Sequence, residues 1–115
     1  MSIDYKNLNK VRVHNRNESV KHFMIKAMTM KLFFNAGYTC YTEREVESKV
    51  ADVLVLDKKD RVTVVEIETK PSKKHTQNLL SFYSIRNCNL YIINVQDVPN
   101  DIVKMGEFLK YKLGL

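Results

Sequence analysis

Val50-Ala51-Asp52-Val53-Leu54-Val55-Leu56 is an apolar run interrupted by one carboxylate. A short turn later, Val62-Thr63-Val64-Val65-Glu66-Ile67-Glu68-Thr69-Lys70 begins apolar and ends in alternating charge. Both read as β-strands. Side chains alternate across a strand, so Glu66, Glu68 and Lys70 project from one face. With Asp57 to Arg61 as the hairpin turn, Asp52 lies opposite Val65 or Glu66. The second register gathers three carboxylates and one ammonium into a single patch. Carboxylates that close repel one another unless something positive stands between them, and a divalent cation is the simplest candidate.

Working outward, Asn17 is the expected N-cap of a first helix, with Glu18 in its first turn, where the helix dipole favours an acid. Val20, Phe23, Met24, Ala27, Met28 and Phe34 mark one face at helical spacing, and Gly37 closes the helix. Residues 38 to 46, rich in Tyr and Thr, read as a strand preceding the two above. Pro71-Ser72 opens a second helix with Ser72 as N-cap and Leu79, Leu80, Phe82 and Tyr83 as its apolar stripe. Asn87 to Asn89 break it, and Leu90 to Val95 form a short buried strand. Pro99-Asn100-Asp101 opens a last helix whose Ile102, Met105, Leu109 and Leu113 share a face. The order is helix, three strands, helix, strand, helix. A three-strand antiparallel meander with a fourth strand returning through a helical crossover gives an α/β (α+β) sandwich on one mixed four-stranded sheet.

The chain has 115 residues, enough for one domain with a core and too few for two. A formal net charge of +6 favours polyanions, with nucleic acid as the leading class of partner. Residues 1 to 16 hold Lys6, Lys10, Arg12 and Arg16 against Asp4 and read as a basic arm or an irregular lead-in. Cys40 and Cys88 lack metal-ligand spacing and read as free thiols of a reducing compartment. No signal-peptide pattern occurs, and no stretch approaches the ~20 apolar residues of a membrane helix. A cytoplasmic protein without membrane contact is expected.

The αβββαβα order, with Asp on the second strand and Glu-x-Glu-x-Lys on the third, resembles the PD-(D/E)xK nuclease superfamily. That superfamily includes restriction endonucleases, archaeal Holliday-junction resolvases and RecB-type exonuclease domains. The likeness covers residues 17 to 96, with Ala51-Asp52 standing where the family has Pro-Asp. It implies a restriction-endonuclease-like core and a Mg²⁺- or Mn²⁺-dependent nuclease acting on DNA more than RNA. Asp52 and Glu66 would be metal ligands, Glu68 would stand at the usual lysine position, and Lys70 would be an auxiliary cation; Glu68-Thr69-Lys70 is also a literal ExK. Glu43 on the first strand, or Glu18 on the helix, would complete the catalytic set. Lys73, Lys74 and His75 at a helix start could hold a phosphate backbone, with Gln77 in place of the family's helix glutamine.

Each feature has a plainer counterpart. A Glu-x-Glu-x-Lys face can be a solvated strand with cross-strand ion pairs, and Asp52 can be satisfied by Lys70 or by backbone N–H groups. His22 fits a partly buried helix histidine, Met24, Met28 and Met30 fit a core, and Tyr38, Tyr41 and Tyr83 fit ordinary packing. Two other functions therefore stay open: a non-catalytic nucleic-acid-binding module, and a protein-interaction module with a homodimer through the last helix.

Overall fold

The computed structural model describes residues 5–59 and 61–115; Asp4 and Asp60 of the expectations above lie outside them. The elements run α1 (Val20–Asn35), β1 (Thr39–Val46), β2 (Lys49–Leu56), β3 (Val62–Glu68), α2 (Lys73–Ile85), β4 (Asn89–Asn94) and α3 (Ile102–Leu113), with a 3₁₀ turn at Val95–Asp97. The strands lie in the order β1-β2-β3-β4. β1, β2 and β3 are antiparallel, and β4 is parallel to β3, as a helical crossover permits. The result is an α+β fold: one mixed sheet of four strands with three helices. Ile25, Met30 and Phe33 of α1 and Met105, Leu109 and Leu113 of α3 cover one face over Val53, Val55, Val65 and Ile93. Leu79 and Tyr83 of α2 cover the other, over Tyr41, Leu54 and Val64.

Local chemistry explains most boundaries. Asp57 closes the β2–β3 turn by accepting from the backbone N–H groups of Lys59 (2.8 Å) and Arg61 (2.9 Å) and from Arg61 Nε (2.7 Å). β3 ends at Glu68, shortly before Pro71, which has no N–H to give to a ladder. Ser72 and Asp101 cap α2 and α3, each accepting a backbone N–H three residues on. Gly37, at φ 94, supplies the left-handed turn after α1.

The first helix departs from expectation twice. Its N-cap is Ser19, whose hydroxyl accepts from the His22 N–H at 3.0 Å, because Asn17 is held one step earlier in a turn made by Asn15 Oδ1. Its inward face is Ile25, Lys26, Thr29, Met30 and Phe33, whereas Val20 is 75% and Phe34 44% exposed. The helix is apolar nearly all round, so periodicity alone does not select a face, and two polar residues turn inward. Ile102 of α3 and Leu80 of α2, counted in apolar stripes, are exposed as well. β4 is an edge strand with Ile93 fully buried and Tyr91 partly exposed, so it is less buried than expected.

The β1–β2 hairpin is kinked. Between the pairs Thr42–Val53 and Arg44–Ala51 stand Glu43, at φ 50, and Asp52. Tyr41 and Val46 would face opposite ways by strict alternation, yet both lie under α2, and so do Ala51 and Leu54. The shift in parity leaves Val50, expected in the core, 44% exposed. Kinks of this kind re-aim side chains beside sites. Cys40 and Cys88 are free thiols, and burial pushes Cys40 up to about 12, so it is unreactive. Among the described residues no helix is long and apolar enough to cross a membrane.

Candidate active site

The kink carries its carboxylates to one end of the sheet. The β2–β3 ladder runs from Leu56–Val62 to Val53–Val65, and the next step along that register sets Asp52 against Glu66. Here side chains take over backbone pairing. Asp52 Oδ2 accepts from the Ile67 N–H at 2.7 Å, and His22 Nε2 stands 3.1 Å from the Ile67 carbonyl. Glu66 Oε1 accepts from the Tyr83 hydroxyl of α2 at 3.0 Å. Asp52 and Glu66 are only 9% and 7% exposed, and Asp52 is near enough to raise the pKa of Glu66.

A second group stands beside the pair. Lys26, fully buried, donates to both oxygens of Glu18 at 3.0 and 2.8 Å and lies 3.6 Å from Glu43 Oε2. Glu18 Oε2 holds His22 Nδ1 at 2.5 Å, and His22 Nε2 is 3.9 Å from Asp52 Oδ1. Glu43 Oε1 meets His14 Nδ1 at 2.5 Å, while its Oε2, although buried, has no hydrogen bond among the described residues. At the far side Glu68 Oε1 pairs with His75 Nε2 at 3.0 Å. Glu43 of β1, Asp52 of β2 and Glu66 of β3 lie on successive strands, with Glu68 farther along β3, a row of carboxylates with a histidine at Glu43 and at Glu68.

The charges follow from burial. Loss of water pushes Asp52 up to about 6; the Ile67 N–H and His22 oppose this, and Glu43 and Glu68 add to it. Burial pushes Glu66 up to about 8, with Asp52 the next cause and the Tyr83 hydroxyl opposing. Burial and Glu66 raise the Tyr83 phenol further above its usual range, so it remains a donor. For Glu18, burial pushes upward but is outweighed by Lys26, the His14 N–H and His22, leaving it below the ordinary carboxylate range.

A group whose folded pKa exceeds its unfolded one adds stability at low pH that is lost as pH rises through the folded value. The cation-free protein should therefore lose stability as pH climbs from about 4 to about 8, the part due to Asp52 being lost by about 6 and that due to Glu66 by about 8. Melting curves in EDTA across that window test this, and a flat or rising midpoint would contradict the electrostatics described.

Of the residues expected at the site, Asp52, Glu66, Glu68 and Glu43 come together. Glu18 and Glu43, posed as alternatives, are both present and joined by Lys26. Lys70 lies two residues beyond β3, exposed, with no ion pair among the described residues. Lys73 and Lys74 are exposed at the start of α2, His75 reaches Glu68, and Gln77 is exposed on the helix surface. Sequence reading missed Lys26, His14 and the role of Tyr83. The one available signal was a lysine amid the apolar residues of α1.

Asp52 Oδ1 and Glu66 Oε2 are the oxygens left over once Ile67 and Tyr83 are served. An all-oxygen pair of buried carboxylates suits Mg²⁺ or Mn²⁺, which bind through one or two carboxylates and retain water. Among the described residues no three or more His, Cys, Asp or Glu side chains form a group that could hold a metal ion. Compared with known proteins, the chain matches no family model, no curated protein and no solved structure.

Proposed function

We propose that the protein is a Mg²⁺- or Mn²⁺-dependent nuclease of the PD-(D/E)xK type, built on a restriction-endonuclease-like core and hydrolysing phosphodiester bonds of DNA. The observation that carries this reading is the buried Asp52–Glu66 pair at the point where β2 and β3 stop pairing. Two buried carboxylates whose pKa values burial raises, Glu66 further through Asp52, are costly unless they serve a cation. Asp52 and Glu66 would hold the ion, which when bound would supply Lewis-acid polarisation of a phosphate oxygen and a more acidic water. The chain's own residues set the stage. The Ile67 N–H and the Tyr83 hydroxyl fix one oxygen of each ligand, so both present their second oxygen without reorganising. His22, oriented through Nδ1 by Glu18, is the nitrogen group beside Asp52 that can hold or pass a proton.

Incubation with single-stranded, duplex and branched DNA in Mg²⁺, Mn²⁺ or EDTA tests the proposal. Cleavage is expected with either cation and not in EDTA, together with a melting midpoint several degrees higher when the cation is present at pH 8. No cutting and no cation-induced shift would overturn it. The placement of Glu68 where a lysine is usual, with Lys70 exposed outside the site, favours a second reading: a non-catalytic nucleic-acid-binding module on the same fold. Salt-sensitive binding without cleavage would select it.

A further inference from the structure

The N-terminal segment does more than lead into α1. It runs along the outer edge of β1: Asn9 N–H donates to the Cys40 carbonyl (2.8 Å), Asn9 Oδ1 accepts from Cys40 N–H (3.1 Å), and Arg12 N–H donates to Thr42 Oγ1 (2.7 Å). Thr42 Oγ1 in turn donates to the Lys10 carbonyl at 2.6 Å. This strap covers an edge that would otherwise stand open. It then delivers His14 onto Glu43, and Arg12 Nη1 reaches the Glu43 carbonyl at 3.4 Å. Arg12 and Arg16 are exposed, and Arg16 meets no acid among the described residues. A cavity of about 320 Å³ opens here, lined by His14, Asn17 and Glu18 of the strap, by His22 of α1 and by Thr69 beyond β3.

The acidic row thus has a basic bank at each end. Lys73 and Lys74 precede His75 at the start of α2, while Arg12 and Arg16 flank His14 on the strap. β1 and β3 are two strand spacings apart, about 10 Å. We infer that the strap, through Arg12 and Arg16, is the second bank of a groove that holds the phosphodiester backbone of one nucleic-acid strand across the carboxylate row. The inference rests on the nuclease reading and supplies what the charge pattern requires. A polyanion laid over Asp52 and Glu66 is repelled at the centre, so its attraction comes from the cations on either side.

Binding of a fluorescent single-stranded DNA oligonucleotide, measured by anisotropy in EDTA at several salt concentrations, tests it without cleavage. Arg12→Glu/Arg16→Glu and Lys73→Glu/Lys74→Glu should each weaken binding at least roughly tenfold at low salt and lower the salt slope by about 1.4, the value for two single-strand phosphate contacts. Arg16→Glu alone should act in the same direction; since Arg16 is exposed and its side chain forms no hydrogen bond or ion pair among the described residues, this guards against misfolding. Lys110→Glu/Lys112→Glu, at the exposed end of α3, should bind like wild type. Normal binding by the Arg12/Arg16 variant beside a weakened Lys73/Lys74 variant would overturn the strap's role and leave the nuclease reading intact. Equal weakening by the α3 variant would also overturn it, because the attraction would then be diffuse charge. No binding by wild type at low salt would remove the nucleic-acid reading itself.

Discussion

Asp52→Asn is expected to lower cation-dependent cleavage by at least ~10³-fold while making the cation-free protein more stable at pH 8. The rate effect follows from taking one of the two charged oxygen donors from the ion; a loss of ~4 kcal/mol of transition-state stabilisation corresponds to that factor. The stability effect follows from the sign of the pKa shift. Asp52 is raised to about 6 by burial, so at pH 8 it is ionised against the preference of its surroundings. The amide keeps an oxygen for the Ile67 N–H, removes the charge, and relieves Glu66, whose own rise is due in part to Asp52. A gain of ~1 kcal/mol or more, roughly 4 °C in midpoint, is expected at pH 8, with little gain at pH 4 where the carboxyl is already neutral. Added Mg²⁺ should raise the wild-type midpoint and leave the variant's nearly unchanged. Cleavage retained in the variant would remove Asp52 from the chemistry. A lower midpoint at pH 8 would show that the carboxylate is structural, satisfied by its backbone hydrogen bond alone.

That opposite movement of activity and stability separates a functional carboxylate from a structural one, a distinction the primary structure does not make. The strands were legible because their signal is local: β-branched runs, a turn closed by Asp57, and Pro71 limiting β3. Element order and the meander with a parallel return followed from those runs. The Asp52–Glu66 apposition was legible as one of two registers, since a hairpin turn constrains register to within a residue. The inward face of α1 was not legible. Val20, Met24 and Phe34 satisfy helical periodicity as well as Ile25, Met30 and Phe33 do, and only the polar set Lys26 and Thr29 distinguishes the two faces, against the usual rule. Glu43 lay hidden for another reason: its inward aim depends on a positive φ that glutamate rarely adopts. Tyr83 and His14 reach the site over long separations in sequence, where spacing carries no information.

The ammonium buried among carboxylates is Lys26 of α1, held by Glu18 and Glu43, and its removal is the largest stability effect to be expected in this fold. Lys26→Met should destabilise the protein by about 3–5 kcal/mol, the range for removing one partner of a buried ion pair. The thioether chain fills a similar volume, so the loss is electrostatic: Glu18 and Glu43, 2% and 7% exposed at their side chains, would be left without the ammonium between them. The cost of each uncompensated charge falls on the fold. Glu18 orients His22 beside Asp52 and Glu43 anchors His14 of the strap, so the damage should extend to the site even where the fold survives. Chemical denaturation at pH 7 measures the loss. The triple variant Lys26→Met/Glu18→Gln/Glu43→Gln should recover most of it, because neutral amides no longer require a cation, whereas activity should stay low with His22 less firmly held. Lys26→Met with wild-type stability would mean that water reaches Glu18 and Glu43 and that Lys26 does not carry the cluster. A triple variant as unstable as the single one would assign the loss to packing, the cation–π contact with Phe23 at 5.4 Å included, and not to charge.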